Sequence, residues 1–226
     1  MPDPRAAEVE RRLEALHGPA PARKPREPLA ELVLTILSQN TSDLNSTAAE
    51  ASLRRALPTW DEVRAAPVER IEDAIRVGGL SRIKAPRIRA VLAEIEEREG
   101  RLSLDRLRGM SLAEVTRYLL SIPGVGPKTA ACVALFSLGL PAFPVDTHVL
   151  RVAGRVGLVD SRSGAAAAHL ELAEAVAEER RYAFHVNLIE HGRRVCQARV
   201  AHCEACPLTD LCDYYAAREA ASTSSR

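Results

Sequence analysis

Aromatic side chains are scarce in this sequence, 4% of 226 residues, and lysine is scarcer still: of 31 basic residues all but Lys24, Lys84 and Lys128 are arginine. No stretch alternates β-branched or aromatic residues with polar ones, which argues against an all-β fold. No apolar run approaches the ~18 residues of a membrane span. Met1–Arg12 is too charged for a secretory signal. A soluble protein without a membrane partner is expected, cytoplasmic, and nucleoid-associated if bacterial. The net charge of +1 neither selects nor forbids nucleic acid. With 46% hydrophobic and 27% charged residues, disorder is excluded as the main state. The length suits one large domain or two small ones, at ~100–200 residues each.

What is present is helical periodicity, and the fold class is read as all-α. Ala6–Leu16 spaces Val9, Leu13 and Leu16 along one face and stops at His17-Gly18-Pro19. Pro19–Pro28, with four prolines beside Arg23, Lys24 and Arg26, reads as an extended basic linker. Leu29–Leu37 is apolar almost all round and suits a bundle centre. Thr59 with Glu62 and Ser111 with Glu114 fit the capping box, in which each side chain satisfies the other's orphan N–H. Pro67 opens a short helix to Val77, Gly78-Gly79 breaks the pattern, and a second helix runs from about Pro86 to Glu99. Arg82, Lys84, Arg87 and Arg89 fall together here with no acid between them. Ser111–Ser121 and Lys128–Leu138 flank a glycine hairpin. Val145–Val156, Ala165–Glu179 and Tyr182–His191 follow, and the Ala- and Ser-rich last ten residues read as frayed.

The hairpin Ile122-Pro123-Gly124-Val125-Gly126-Pro127-Lys128-Thr129-Ala130 is the most informative stretch. Pro123 stops one helix, and Gly124 and Gly126 permit positive φ and let a ligand approach the backbone. The next helix aims its unpaired N–H groups at the turn, a device that binds phosphate without reading sequence. With Ile122 and Val125 as apolar anchors and small Ala130 at the crossing, the pattern resembles the helix-hairpin-helix DNA-binding motif. A tight turn built for packing is the plainer alternative for the glycines alone.

Two further constellations carry chemistry. Lys128 opens the second hairpin helix, and Asp146, in Pro144-Val145-Asp146-Thr147-His148, stands at the N-cap of another, where an Asp is ordinarily a cap worth ~1 kcal/mol. A lysine that sheds its proton can attack an electrophilic carbon and form a Schiff base, and a carboxylate beside it can accept that proton or stabilise developing positive charge. Cys196-x6-Cys203-x2-Cys206-x5-Cys212 suits four thiolates on zinc or on an iron–sulfur cluster, though zinc sites usually pair two C-x2-C knuckles and one is present. Cys132 reads as a buried core residue.

Ile122–Ala131, Val145–Val152 and the terminal cysteines, in this order and spacing, resemble the endonuclease III-type DNA glycosylases of the helix-hairpin-helix superfamily, and the similarity extends from about Leu29 to Cys212. The resemblance implies two helical lobes, a bundle over residues 29–140 and an iron–sulfur domain over 1–28 and 141–226 with 213–226 a partly frayed tail, and a DNA-binding cleft between them. It implies a [4Fe-4S] cluster on Cys196, Cys203, Cys206 and Cys212. It implies Lys128 as the nucleophile at the sugar C1′ and Asp146 as the carboxylate that assists base loss and elimination, with His148 in support. The partner is then double-stranded DNA carrying a damaged base or abasic site, with the nucleotide flipped out and the enzyme a monomer. DNA contacts fall to Gly124, Val125, Gly126 and Arg199, to Gln39 or Asn40 as the residue that fills the flipped-base gap, and to Leu80 as the wedge.

Several positions depart from the family pattern. Asn40 stands where the family has glutamine, Gly78 replaces a bulkier apolar residue, and Leu120 replaces an acid eight positions before Lys128. The cluster loop carries only Arg199 and His202, which predicts weaker, less salt-sensitive binding. The expected activity is that of a bifunctional glycosylase/AP lyase excising oxidised pyrimidines. The alternatives are a monofunctional thymine- or uracil-mismatch glycosylase and a feeble or inactive lesion-binding paralogue. An adenine glycosylase is disfavoured, since Thr35 holds the place of its general-acid glutamate.

Overall fold

The computed structural model describes residues 2–160, 162 and 164–224. It is all-α: among the described residues there is no strand beyond an isolated antiparallel bridge between Cys196 and Ala201. By its contacts the chain divides into two compact units, Lys24–Leu140 and a discontinuous unit of Met1–Arg23 with Pro141–Arg226. No helix is long and apolar enough to cross a membrane among the described residues.

The unit Lys24–Leu140 is built around α2 (Pro28–Ser38), whose Leu29, Leu32, Val33, Ile36 and Leu37 are fully buried. Glu27 starts it by accepting from the N–H groups of Leu29 and Ala30 at 2.8 Å each. Around α2 stand α3 (Asp43–Ala56), α4 (Trp60–Ala65), α5 (Val68–Ala74), α6 (Ser81–Glu99), α7 (Leu112–Leu120) and α8 (Pro127–Cys132). Both capping boxes form in full: the Thr59 and Ser111 hydroxyls accept from the N–H groups of Glu62 and Glu114, whose carboxylates accept in return. Thr35 and Cys132 are buried in this unit.

Several boundaries differ from the sequence expectation. Pro67 is the N-cap of α5 rather than its first residue, and the helix ends at Ala74, the chain tightening into a 3₁₀ turn at Arg76–Gly78. α6 starts at Ser81, so Pro86 lies inside it. A proline there removes the bond that its N–H would make to the Arg82 carbonyl, one turn inside the helix. Beyond Cys132 the helix widens into a π-turn over Val133–Ser137, with the Leu138 N–H reaching the Val133 carbonyl at 3.2 Å.

The second unit holds α1 (Pro4–His17), α9 (Thr147–Val156), α10 (Gly164–Ala175), α11 (Arg181–Arg194) and α12 (Asp213–Ser224). Its core joins Val9 and Leu13 to Phe143, Val149, Val152, Leu172, Phe184 and Leu188. Arg180 locks the start of α11 to α1 through Glu10 (2.5 Å) and Glu14 (2.6 Å). The C-terminal segment is not frayed. It forms α12, since alanine favours helix, the Arg155 guanidinium lies over Tyr214 at 4.4 Å from the ring centroid, and Arg5 pairs with Asp213 at 2.5 Å. Ser225 and Arg226 lie outside the described residues.

One ion pair sets an acid limb of stability in the first unit. Glu99 accepts from Arg106 at 2.7 and 2.9 Å, which holds its carboxyl down at about 2. A depressed carboxyl stabilises the fold fully above its unfolded pKa of ~4.3 and loses that contribution as pH falls toward the folded value. Glu99→Gln is expected to lower the thermal midpoint at pH 7 and to lower it much less at pH 2, read by circular dichroism across that range.

Candidate functional site

The hairpin forms between α7 and α8. The Ile122 N–H donates to the Leu119 carbonyl and the Val125 N–H to that of Ile122, each at 3.1 Å, closing the turn. Ile122, Val125 and Ala130 are buried as anchors. Gly124 takes φ +87°, where a side chain would strain the backbone. Gly126 does not: it is the extended N-cap of α8 at φ −100°, and a Cβ there would meet nothing within 4 Å, so internal packing does not require the glycine.

Lys128 is half-exposed on the first turn of α8. Its charge acts on a carboxyl that the sequence pattern did not single out. Glu31 of α2 is buried, and burial pushes its pKa up, against the opposing pull of Arg26, a hydrogen bond from Thr35 and the charge of Lys128. Leu120 is exposed at the end of α7.

The segments bearing Gln39, Asn40 and Leu80 meet around another lysine. Lys84 of α6 is 2% exposed, and its ammonium donates to the Leu37 carbonyl (2.7 Å), the Thr41 hydroxyl (2.5 Å) and the Gly78 carbonyl (3.2 Å). Burial lowers its pKa. The Thr41 hydroxyl in turn donates to the Gly78 carbonyl at 2.7 Å. Gln39 is engaged, its Oε1 accepting from Arg87 at 2.6 Å, and the Arg87 stem lies where a Gly124 Cβ would be 3.5 Å away. Asn40 is exposed at φ +52°, and Leu80, 47% exposed, caps α6 at φ +53°. Val77, Ile83 and Leu44, on the same segments and the adjoining turn of α3, are exposed as well. Gly78 is explained by packing: a Cβ there would come within 2.8 Å of the Ala49 Cβ.

In the other unit Asp146 is the N-cap of α9, its Oδ1 accepting from the Val149 N–H at 2.8 Å. The irregular chain before it is pinned through its carbonyls. Arg181 donates to Pro141, His169 to Phe143 (2.8 Å) and His185 to Pro144 (2.9 Å). His148 faces Arg151, whose guanidinium lies 3.1 Å from its Nδ1 and also donates to the Gly192 carbonyl (2.7 Å) and the Cys196 carbonyl (2.9 Å). Arg199 is exposed on the loop that follows.

The four terminal cysteines are free and line one open cavity of about 340 Å³, together with His191, His202 and Tyr214 among others. Three of them face N–H groups: Arg155 donates to the Cys196 sulfur at 3.2 Å and Arg218 to that of Cys203 at 3.7 Å, while His191 Nε2 lies 3.5 Å from the Cys206 sulfur. Burial, reinforced by the other three cysteines, pushes the Cys206 thiol up to about 11, and burial raises Cys212. A single zinc ion would draw its ligands to one point. Among the described residues no three His, Cys, Asp or Glu side chains stand close enough to share one ion. The four sulfurs line the same cavity, and a four-thiolate donor set fits iron or zinc.

Residues 33–178, more than half of the chain, match the HhH-GPD superfamily base excision DNA repair proteins. The chain belongs to that superfamily. Within it, the chain is an enzyme of the endonuclease III type, the DNA glycosylase/AP lyases. It is 32% identical to the endonuclease III of Sulfolobus acidocaldarius over 85% of this chain and 84% of that protein. An Arabidopsis thaliana protein with a provisional DNA glycosylase name is 38% identical over 80% of this chain, which spans 65% of that relative's length. A solved covalent endonuclease III–DNA intermediate superposes with a TM-score of 0.78 at 28% identity, over 95% of both chains.

Of the residues the sequence pattern passed over, Gly192 is the sharpest. A Cβ there would meet the His148 Cβ at 2.9 Å and the Arg151 guanidinium at 3.2 Å, so α9 and α11 can approach only at a glycine. Gly192→Ala is expected to cost about 1–3 kcal/mol in urea unfolding, as overpacking does. An unchanged midpoint would show that His148 and Arg151 can yield.

Proposed function

We propose that this HhH-GPD enzyme is a bifunctional DNA glycosylase/AP lyase acting on oxidised pyrimidines and abasic sites in duplex DNA, with Lys128 as nucleophile. The observation that carries it concerns the lysines. Lys84 has all three ammonium hydrogens committed in the interior and Lys24 sits in an extended segment, while Lys128 is the half-buried amine at the opening of a helix. Its deprotonated Nζ attacks C1′ of the flipped nucleotide, and the base departs with the glycosidic electron pair and takes up a proton. The attached nitrogen loses a proton and the sugar ring opens, the C1′–O4′ bond breaking and O4′ taking up a proton; the iminium so formed acidifies C2′, loss of that proton expels the 3′ phosphate, and water then releases the sugar as an aldehyde and restores the lysine.

Asp146 is proposed as the second catalytic group, the carboxylate that assists base loss and elimination. Its capping bond to the Val149 N–H fixes its rotamer, so the structural role and the catalytic one are compatible. His148 and Arg151 steady that helix. Backbone N–H groups at Gly124–Gly126 bind the phosphate, and Arg199 adds a cation. Asn40 rather than Gln39 fills the gap left by the flipped nucleotide, since Gln39 is held by Arg87, and Leu80 is the wedge.

Cys196, Cys203, Cys206 and Cys212 are proposed to hold a [4Fe-4S] cluster. Four protein thiolates leave no open iron, so the group when bound supplies a structural staple for the loop. Arg155 and Arg218 donate to the Cys196 and Cys203 sulfurs and would offset the thiolate charge.

Strand cleavage of an abasic duplex and base release from a thymine glycol duplex test the reading. Lys128→Gln is expected to abolish cleavage, and Asp146→Asn to slow both steps by about 10²–10⁴-fold, the range of a positioned acid–base group. Cleavage surviving in Lys128→Gln would refute the lysine mechanism. Iron and acid-labile sulfide are expected in the purified protein and lost in Cys206→Ser; one zinc per chain would refute the cluster.

A further inference from the structure

We infer that Lys84 is a positioning residue for the handling of duplex DNA: its buried ammonium holds Asn40 and Leu80 at a fixed spacing from one another. The inference rests on the reading that these two residues enter the duplex. Asn40 and Leu80 are the two non-glycine residues at positive φ among the described residues. Asparagine visits this region with modest frequency, whereas leucine rarely does, so the surrounding structure must impose the conformation.

Lys84 is where that imposition converges. An ammonium has three hydrogens, and here each finds one oxygen. The Leu37 carbonyl lies at the end of α2, the Thr41 hydroxyl directly after Asn40, and the Gly78 carbonyl two residues before Leu80. Thr41 closes the triangle by donating to the same Gly78 carbonyl. Both segments are irregular, and no helix ladder is available to hold their carbonyls. At 2% exposure, with its donors used, Lys84 is not available to pair with a phosphate or attack a sugar. Its neighbours on α6 divide the work: Arg82 is exposed, while Arg87 reaches Gln39 and lies against the hairpin turn at Gly124. The shared task is geometric. A wedge and a gap-filling residue must reach the two places at once, and a duplex has a stack and an opposite strand to engage. A single strand has neither.

That difference separates positioning from bulk stability. The measurement is the single-turnover cleavage rate at one abasic site in a duplex and in the same strand alone, at a temperature where circular dichroism shows each variant folded. Lys84→Met keeps the length of the side chain and removes the donors. Its duplex rate is expected to fall about tenfold, within the ~100-fold that a 1 Å misplacement can cost, while its single-strand rate stays that of the wild type. Thr41→Val removes only the bridging hydroxyl and is expected to show the same selective loss to a smaller degree; it carries the test if Lys84→Met does not fold. An equal loss on both substrates, or none on either, would overturn the inference. Leu80→Ala and Asn40→Ala run alongside keep the two claims apart. Selective duplex loss in them but not in Lys84→Met would sink the role of Lys84 alone. No duplex loss in any of the variants would sink the reading of the loops as well.

Discussion

Irregular backbone needs hydrogen-bond donors, and the functional segments of this protein are irregular. A carbonyl outside a helix ladder and away from water costs free energy unless something donates to it. In each unit the donors are buried or half-buried Lys, Arg and His side chains reaching out of regular helices. Lys84 serves the segments around Thr41 and Gly78; Arg181, His169 and His185 serve the chain leading to Asp146; Arg151 and Arg155 serve the loop of Cys196. The rigid helices thereby fix the places where the chain leaves helical geometry, and those are the places where chemistry is proposed.

This use of cations explains the near-neutral net charge in a DNA repair family. Much of the arginine is structural. Arg180 and Arg12 tie α1 to α11 and to the loop at Asp210, Arg106 ties down Glu99, and Arg155 and Arg218 face cysteine sulfurs. Arginine suits such work because its fork serves several acceptors and stays charged. The hairpin needs no cation to meet a phosphate, since backbone N–H groups and the opening of a helix supply the attraction. Two of the three lysines, whose amines can lose a proton, take demanding positions: Lys84 wholly satisfied inside and Lys128 half-exposed at the hairpin.

The legible parts of the sequence were those with local causes. The hairpin declares itself through Pro123, Gly124 and the anchors Ile122 and Val125, and both capping boxes through residues three apart. Asp146 as an N-cap follows from an acid before an apolar periodic run. The illegible parts depend on contacts between distant segments. α3 is polar and shows little periodicity in the sequence; its identity as a helix rests on packing, including the 2.8 Å approach that makes Gly78 obligatory. Pro86 suggests a helix start five residues later than Ser81, because the partners of Lys84 in the preceding turn, Leu37, Thr41 and Gly78, are not declared by neighbouring residues. The Ala- and Ser-rich end reads as frayed in the sequence because the anchors of α12, Arg5 and Arg155, lie far away along the chain. In the candidate site, Lys128, Asp146 and the four cysteines were evident as residue types, whereas Glu31, His169, His185 and Gly192 become visible only once the helices are packed.

Only three lysines exist in the chain, which makes the central chemical claim unusually easy to test. Borohydride reduction during reaction with an abasic-site duplex, followed by proteolysis and mass spectrometry of the DNA-bearing peptide, identifies the amine that attacked C1′. The adduct is expected on Lys128 alone. An adduct on Lys24 or Lys84, or none from protein that binds and cleaves the same duplex, would contradict the assignment of Lys128 as the nucleophile.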